Sequence, residues 1–164
     1  MTDCSPLPAV WKTTVGRMIL LSCTLVASAT AACFTASSGG AWINNSATAQ
    51  TNVIYTATFD AKPSHSLTNA IVGISHGAQT GYAGFACMVR FNPSGKIDAR
   101  NGGDYAPNPG IIPYTGGTTY SFRLVINLSA KTYSIYVKPA GGSEQTLGTN
   151  YDFRTEQSGV DTLN

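Results

Sequence analysis

Hydrophobic and polar positions alternate with a period of two along much of this chain, most regularly between residues 117 and 139. Tyr120, Phe122, Leu124, Ile126 and Leu128 alternate with Thr119, Ser121, Arg123, Val125 and Asn127. Tyr133, Ile135 and Val137 then alternate with Thr132, Ser134, Tyr136 and Lys138. Successive side chains of a strand point to opposite faces, so this period predicts two strands with one face buried. A loop at residues 129–132 would set Leu128 against Tyr133, Ile126 against Ile135 and Leu124 against Val137. On the other face the same register sets Arg123 against Lys138. A slip of one residue would turn Tyr133, Ile135 and Val137 into water.

The same reading extends along the chain. Val53, Tyr55, Ala57 and Phe59 form a second alternating set, followed by a loop at 61–68 that carries Pro63 and His65. Residues 69–75 predict a short apolar strand, 76–84 a glycine-rich turn, and Phe85–Phe91 a strand with Phe85, Cys87, Val89 and Phe91 on one face. Asn92, Pro93, Ser94 and Gly95 supply turn chemistry before a short polar strand at 96–100. Residues 101–113 read as the longest irregular stretch, and long loops on a rigid sandwich are where binding usually resides. A turn at 140–143, a weaker strand at 144–149, and Tyr151 with Phe153 on one face complete the pattern. The expected fold is all-β: an antiparallel two-sheet jelly-roll sandwich, in which either a closing C-terminal strand is missing or the N-terminal strand makes do without it. Trp42, alone among small polar residues, is expected to cap one end of its core.

Composition narrows the class. Only 11% of the 164 residues are charged, against roughly 25% in a typical soluble domain, and Gly, Ser, Thr and Asn fill the polar positions. The net charge of +2 is scattered. No Lys/Arg run exists to track a phosphate backbone, so nucleic acid is not an expected partner. Lys12 and Arg17 precede an apolar run at 18–27, followed by small residues, which predicts an export signal over 1–32. Cleavage after Ala31 or lipidation at Cys33 both fit, giving a secreted or a cell-surface protein. The run is short of the ~20 residues of a membrane span. A first helix of the domain is the alternative. Residues 33–50 then read as linker and edge segment, and 51–164 as the sandwich. Cys33 and Cys87 could pair in an oxidising compartment, but the parity of Cys87 favours a buried free thiol.

Residues 118–137 (TTYSFRLVINLSAKTYSIYV) resemble the back-to-back hairpin of laminin-G-like and concanavalin-like jelly rolls. Residues 59–64 (FDAKPS), 89–105 (VRFNPSGKIDARNGGDY) and 151–157 (YDFRTEQ) resemble modules of secreted polysaccharide-acting proteins. The resemblance runs from about Val53 to Leu163. It implies a carbohydrate-binding, lectin-like module, a glucanase or a polysaccharide lyase, with a polysaccharide or other glycan as partner. Glucanases of this fold carry closely spaced acids on one strand, because retaining hydrolysis needs two carboxyl groups about 5 Å apart. The eight acidic residues here are dispersed.

A lyase would use a His and a Tyr, helped by Arg and Gln, to move the C5 proton of a uronate. His76, Gln79, Tyr82 and Arg90 are the residues of those types, although the family's Q-[IV]-H strand motif is absent. For binding without chemistry, Arg123, Tyr136 and Lys138 form one candidate surface, where like charges across a strand pair call for a counter-ion. Asp98, Asp152 or Glu156 would supply it from within, or an acidic glycan from outside. Tyr105 and Tyr114 flank the long loop as candidate sugar platforms. Asp98, Asn101 and Asp104 space oxygen donors at three-residue intervals, a pattern that suits Ca²⁺ as well as plain turns. No organic cofactor is expected. The function read from sequence is a non-catalytic glycan-binding module, with a lyase and a purely structural or adhesive domain as alternatives.

Overall fold

The computed structural model describes residues 33–51, 53–108 and 110–164. The export signal expected over 1–32 lies outside the described residues. The chain divides into two units between Ile43 and Asn44. In the described part of the first, Gly40 N–H donates to the Ser37 carbonyl, and Trp42 is partly exposed. All strands among the described residues belong to the second unit, Asn44–Asn164.

Among the described residues, nine strands build two antiparallel sheets. They are β1 (Ile54–Ala61), β2 (Ala70–Ser75), β3 (Phe85–Phe91), β4 (Lys96–Asn101), β5 (Asp104–Ala106), β6 (Ile112–Pro113), β7 (Tyr120–Asn127), β8 (Thr132–Pro139) and β9 (Gln145–Asp152). The first sheet runs β1-β7-β8-β9. The second runs β2-β3-β4, with β5 and β6 both pairing with β4. Parity sends Phe122, Leu124, Ile126, Tyr133, Ile135 and Val137 inward from the first sheet, against Cys87, Val89, Phe91, Ile97 and Ala99 of the second. Phe59 stacks on Phe122 at 5.2 Å, and Phe91 meets Phe122 edge-on at 5.9 Å. The expected β-sandwich is the observed one, and Cys87 is a buried free thiol within it.

Three details differ from the sequence expectation. The β7–β8 register is shifted by two residues: Ile126 pairs with Tyr133, Leu124 with Ile135, and Arg123 with Tyr136 rather than Lys138. Parity survives such a shift, so the apolar face is unchanged. The loop decides the register. Asn127 Oδ1 accepts from Ala130 N–H and Ser129 Oγ, each at 3.0 Å, and Lys131 takes a left-handed φ of 55° to re-enter the strand. The stretch expected to be irregular holds β5 and β6, whose three and two residues are too short to show a period. At the end of the described chain, Gln50 and Leu163 form an antiparallel bridge, and Leu163 is fully buried.

One departure from regular pairing matters for function. The β3–β4 ladder runs only from Phe91↔Ile97 to Val89↔Ala99. Beyond Val89 the chain leaving β9 enters the second sheet. Arg154 N–H donates to the Ala86 carbonyl at 2.9 Å, Gly102 N–H to the Asp152 carbonyl at 3.1 Å, and Asp152 N–H to Asn101 Oδ1 at 2.9 Å. The Tyr133 hydroxyl, arriving from the first sheet, accepts from Met88 N–H at 3.3 Å and donates to the Arg100 carbonyl. Buried backbone groups that have left the ladder thus find partners.

Candidate functional site

The outer face of the second sheet collects the polar side chains that parity excludes from the core. Arg90 on β3 pairs across the ladder with Asp98 on β4, and Arg100 on β4 pairs with Tyr105 on β5. Asp98 and Arg100 are two residues apart, so all four share one face. Asp98 is 2% exposed. It accepts from Arg90 Nε at 2.9 Å, Arg90 Nη2 at 2.8 Å and Asn92 Nδ2 at 2.8 Å. The hydrogen bond to Asp98 holds the Arg90 guanidinium above its ordinary pKa. Arg90 lies over the Tyr105 ring at 3.4 Å, and Arg100 stands 5.2 Å from the same ring. The carbonyls of Gly102 and Gly103 hold Arg100 in place of a carboxylate.

The β9 extension adds a third arginine. Phe153 is buried in the core, and Arg154, next along the chain, meets Tyr82 and Glu156 instead. Arg154 is 4% exposed. Its Nη2 donates to Glu156 Oε1 at 2.8 Å, while Nε and Nη1 are buried with no hydrogen-bond partner. The Tyr82 ring lies 4.8 Å from its guanidinium carbon. Tyr82 opens a 3-10 turn, Tyr82–Gly84, and a second such turn, Thr155–Gln157, follows Arg154. Gln157 Nε2 ties the two by donating to the Ala83 carbonyl at 2.9 Å. Ala86 and Met88, which share the parity of Arg90, are fully buried, so this end of the face is covered. Desolvation raises the Tyr105 hydroxyl pKa, against the pull of Arg90, Arg100 and Arg154. The result is a face with three guanidinium groups, two tyrosines and two carboxylates. A hollow of about 250 Å³ near the β7–β8 loop, lined in part by Gly102, Lys131, Asp152 and Thr155, is smaller than the ~300–1,000 Å³ of small-molecule pockets.

Over 98 residues the chain is 33% identical to a gellan lyase from a Bacillus species. The matched stretch is 58% of this chain and 4% of that protein, so the chain spans a small fraction of its relative's length. No family model matches the chain, and no solved structure matches it.

The residues singled out from sequence fall in several places. Arg123 has its counter-ion in Glu144, not in Asp98, Asp152 or Glu156: Nε donates to Oε2 at 3.0 Å and Nη2 to Oε1 at 2.5 Å. The guanidinium also covers the Tyr136 ring at 3.8 Å, and Lys138 stands opposite Ser121. That surface is satisfied from within. Tyr114, expected as a sugar platform, is 5% exposed and packs edge-on against Phe91 at 5.0 Å. Its hydroxyl accepts from Thr68 N–H at 2.8 Å and donates to the Asn92 carbonyl at 2.8 Å, which makes it a core residue. Tyr105 lies within the arginine cluster.

Of the residues considered for lyase chemistry, His76 and Gln79 share one loop, and Arg90 and Tyr82 have partners of their own. His76 Nδ1 contacts the Thr162 hydroxyl at 2.7 Å, and Gln79 Nε2 donates to the His76 carbonyl at 2.9 Å. Arg90 is held by Asp98 and Tyr82 lies against Arg154. Asp98, Asn101 and Asp104 do not fit a calcium shell. Both oxygens of Asp98 are taken by Arg90 and Asn92, and Asn101 Oδ1 accepts from the Asp152 amide. Among the described residues no group of three His, Cys, Asp or Glu is placed to hold a metal ion, and no helix is long and apolar enough to cross a membrane. Sequence reasoning passed over Arg100 and Arg154, and weighed Glu156 only as a counter-ion for Arg123. The local signal was the alternation Tyr151, Phe153 against Asp152, Arg154, which puts a cation beside a core aromatic.

Proposed function

We propose that the sandwich is a carbohydrate-binding module that works outside the cell, holding a polysaccharide on the outer face of its second sheet without chemistry of its own. One observation carries this reading. Arg90, Arg100 and Tyr105 are fixed on paired strands of one sheet face, beside Arg154 and Tyr82. Planar guanidinium forks and aromatic rings are the groups that hydrogen-bond and stack on sugars, and strands hold them more rigidly than loops do. A sheet face on which Arg90, Arg100 and Tyr105 are half-buried, in place of a closed pocket, suits a polymer. The likeness to a short part of a gellan lyase supports a polysaccharide ligand.

That relative's name makes a lyase the second reading. Proton abstraction requires a base within hydrogen-bond reach of the sugar, with its helpers beside it. Gln79 does bond to His76, but His76 Nδ1 is taken by Thr162, Arg90 by Asp98, and Tyr82 lies against Arg154.

The test is affinity electrophoresis of the chain in gels cast with gellan, alginate or polygalacturonate, run beside an absorbance assay at about 235 nm, where an unsaturated uronate product would absorb. Retardation without an absorbance rise is expected. Tyr105→Ala should abolish the retardation, and Arg123→Ala, on the first sheet, should leave it unchanged. No retardation on these gels or on a glycan array overturns the reading, and a rising absorbance replaces it with the lyase.

A further inference from the structure

We propose that Arg154 is the receptor for a carboxylate of the bound glycan, so that the module selects uronate-containing polysaccharides, and that Tyr82 is the cover that swings aside to admit it. This rests on the binding reading above and names the ligand class of the same face.

The four arginines with described partners differ in one respect. Arg90 and Arg123 each set two donors on one carboxylate, and Arg100 is held by two carbonyls. Arg154 gives one donor to Glu156 and keeps Nε and Nη1 buried without an acceptor. Buried polar groups in folded proteins nearly always have partners, and an exception points to a role. A guanidinium has no acceptor capacity, so what it lacks is an oxygen, and a carboxylate supplies two in the geometry the fork matches. Glu156 already pairs with the Arg154 charge, and sugar hydroxyls would answer the same two donors, so the preference for a carboxylate comes from its matching fork geometry and from the charge of the whole face. With three guanidinium groups against the carboxylates of Asp98 and Glu156, the face keeps a cationic excess that favours an anion.

The cover is built to move. Tyr82 is 53% exposed, and its 3-10 turn contains no buried residue. The turn is anchored one residue later, through the Ala83 carbonyl, and is preceded by Gly81, around which space is open. The ring is held by its contact with Arg154. A cation–π contact at a half-exposed ring is weaker than a charge-assisted hydrogen bond, so an arriving carboxylate displaces it. The ring is then free to lie on the sugar.

The experiment compares each acidic polysaccharide used above with its carboxyl-reduced form, by calorimetry on the unaltered chain. The reduced form should bind roughly 10- to 100-fold more weakly, the range that one charge-assisted hydrogen-bond pair commands. Arg154→Gln should show the same loss on the acidic form and no difference between the two forms. Arg154→Lys should recover part of the affinity. Tyr82→Ala should raise the association rate, having no cover to displace. Urea midpoints identify any variant that fails to fold, and the reduced-glycan comparison needs no variant. Equal affinity for acidic and reduced forms overturns the carboxylate receptor and leaves glycan binding standing. Dextran sulfate binding as tightly as the uronate polymer overturns it too, in favour of a general polyanion surface. Binding to none of them removes both readings.

Discussion

Replacing Asp98 by alanine tests whether the outer face is organised by its buried carboxylate. Asp98 accepts three hydrogen bonds within 2.9 Å, two from Arg90 and one from Asn92. Breaking a buried ion pair from one side costs about 3–5 kcal/mol, because the remaining charge keeps its desolvation penalty without its partner. The Arg90 side chain is 21% exposed, so water relieves part of that cost and the lower end, ~3 kcal/mol, applies. With a urea slope of ~1.5 kcal/mol/M, the midpoint should fall by about 2 M at unchanged slope. Replacing both partners, Arg90→Met with Asp98→Leu, removes both desolvation penalties and should return the unfolding free energy to within ~1 kcal/mol of the unaltered chain. The assay is equilibrium urea unfolding followed by fluorescence, run as a double-mutant cycle. A loss below ~1 kcal/mol for Asp98→Ala, or a double variant no better than the single one, would refute the buried-charge account. Asn92 gives a second route for the damage. Its side-chain oxygen accepts from the Ser94 and Lys96 amides at 3.0 Å, so the β3–β4 turn is held by the residue that Asp98 orients.

Other consequences can be checked separately. Tyr133→Phe removes the hydroxyl that serves Met88 and Arg100 where β3 and β4 part; a loss of about 2–3 kcal/mol is expected in the same urea assay, and no loss would mean the backbone recloses without it. Tyr114→Phe should cost ~1–2 kcal/mol through Thr68 and Asn92 while leaving glycan retention unchanged, and a change in retention would return Tyr114 to the binding surface. Burial raises the pKa of the Cys87 thiol and the Tyr133 hydroxyl well above ordinary values of 9.0 and 10.0. For groups kept neutral by folding, the stabilisation is full below the unfolded value and is lost as pH rises through the folded one. Thermal melts should therefore hold up to about pH 9 and fall above it, and Cys87 should resist thiol reagents until the chain unfolds. A flat alkaline limb would show these groups are not buried in solution.

The parts of the fold legible in the sequence are those set by period and turn chemistry. Odd–even placement identified the apolar faces of β1, β3, β7 and β8, since burial of one face of a sheet forces it. The β7–β8 register was not legible to better than two residues, because Leu124 reaches the core whether it faces Ile135 or Val137. The hydrogen bonds made by Asn127 and the left-handed Lys131 settled it. β5 and β6 escaped notice because they pair with β4 by position, not by any pattern of their own.

The candidate site was half visible for a related reason. Arg90, Tyr105 and Tyr82 have types that draw attention, and the β3–β4 turn brings Arg90 and Asp98 together from eight residues apart. Arg154 is different. Its place depends on the end of β9 leaving one sheet and entering the gap where β3 and β4 separate, a contact between residues 86 and 154 that no local pattern encodes. The gap exists because Tyr133, from the opposite sheet, satisfies the Met88 amide and the Arg100 carbonyl in place of ladder partners. One core tyrosine thus permits the opening through which a cation reaches the outer face. The covered guanidinium and the exposed ring above it follow from that crossing, beside an Arg90–Tyr105 stack that the β3–β4–β5 pairing sets. Tyr133→Phe should therefore weaken glycan binding as well as stability, whereas Tyr114→Phe should affect stability alone. If both variants leave binding intact, the arginine face is not assembled by the strand crossing.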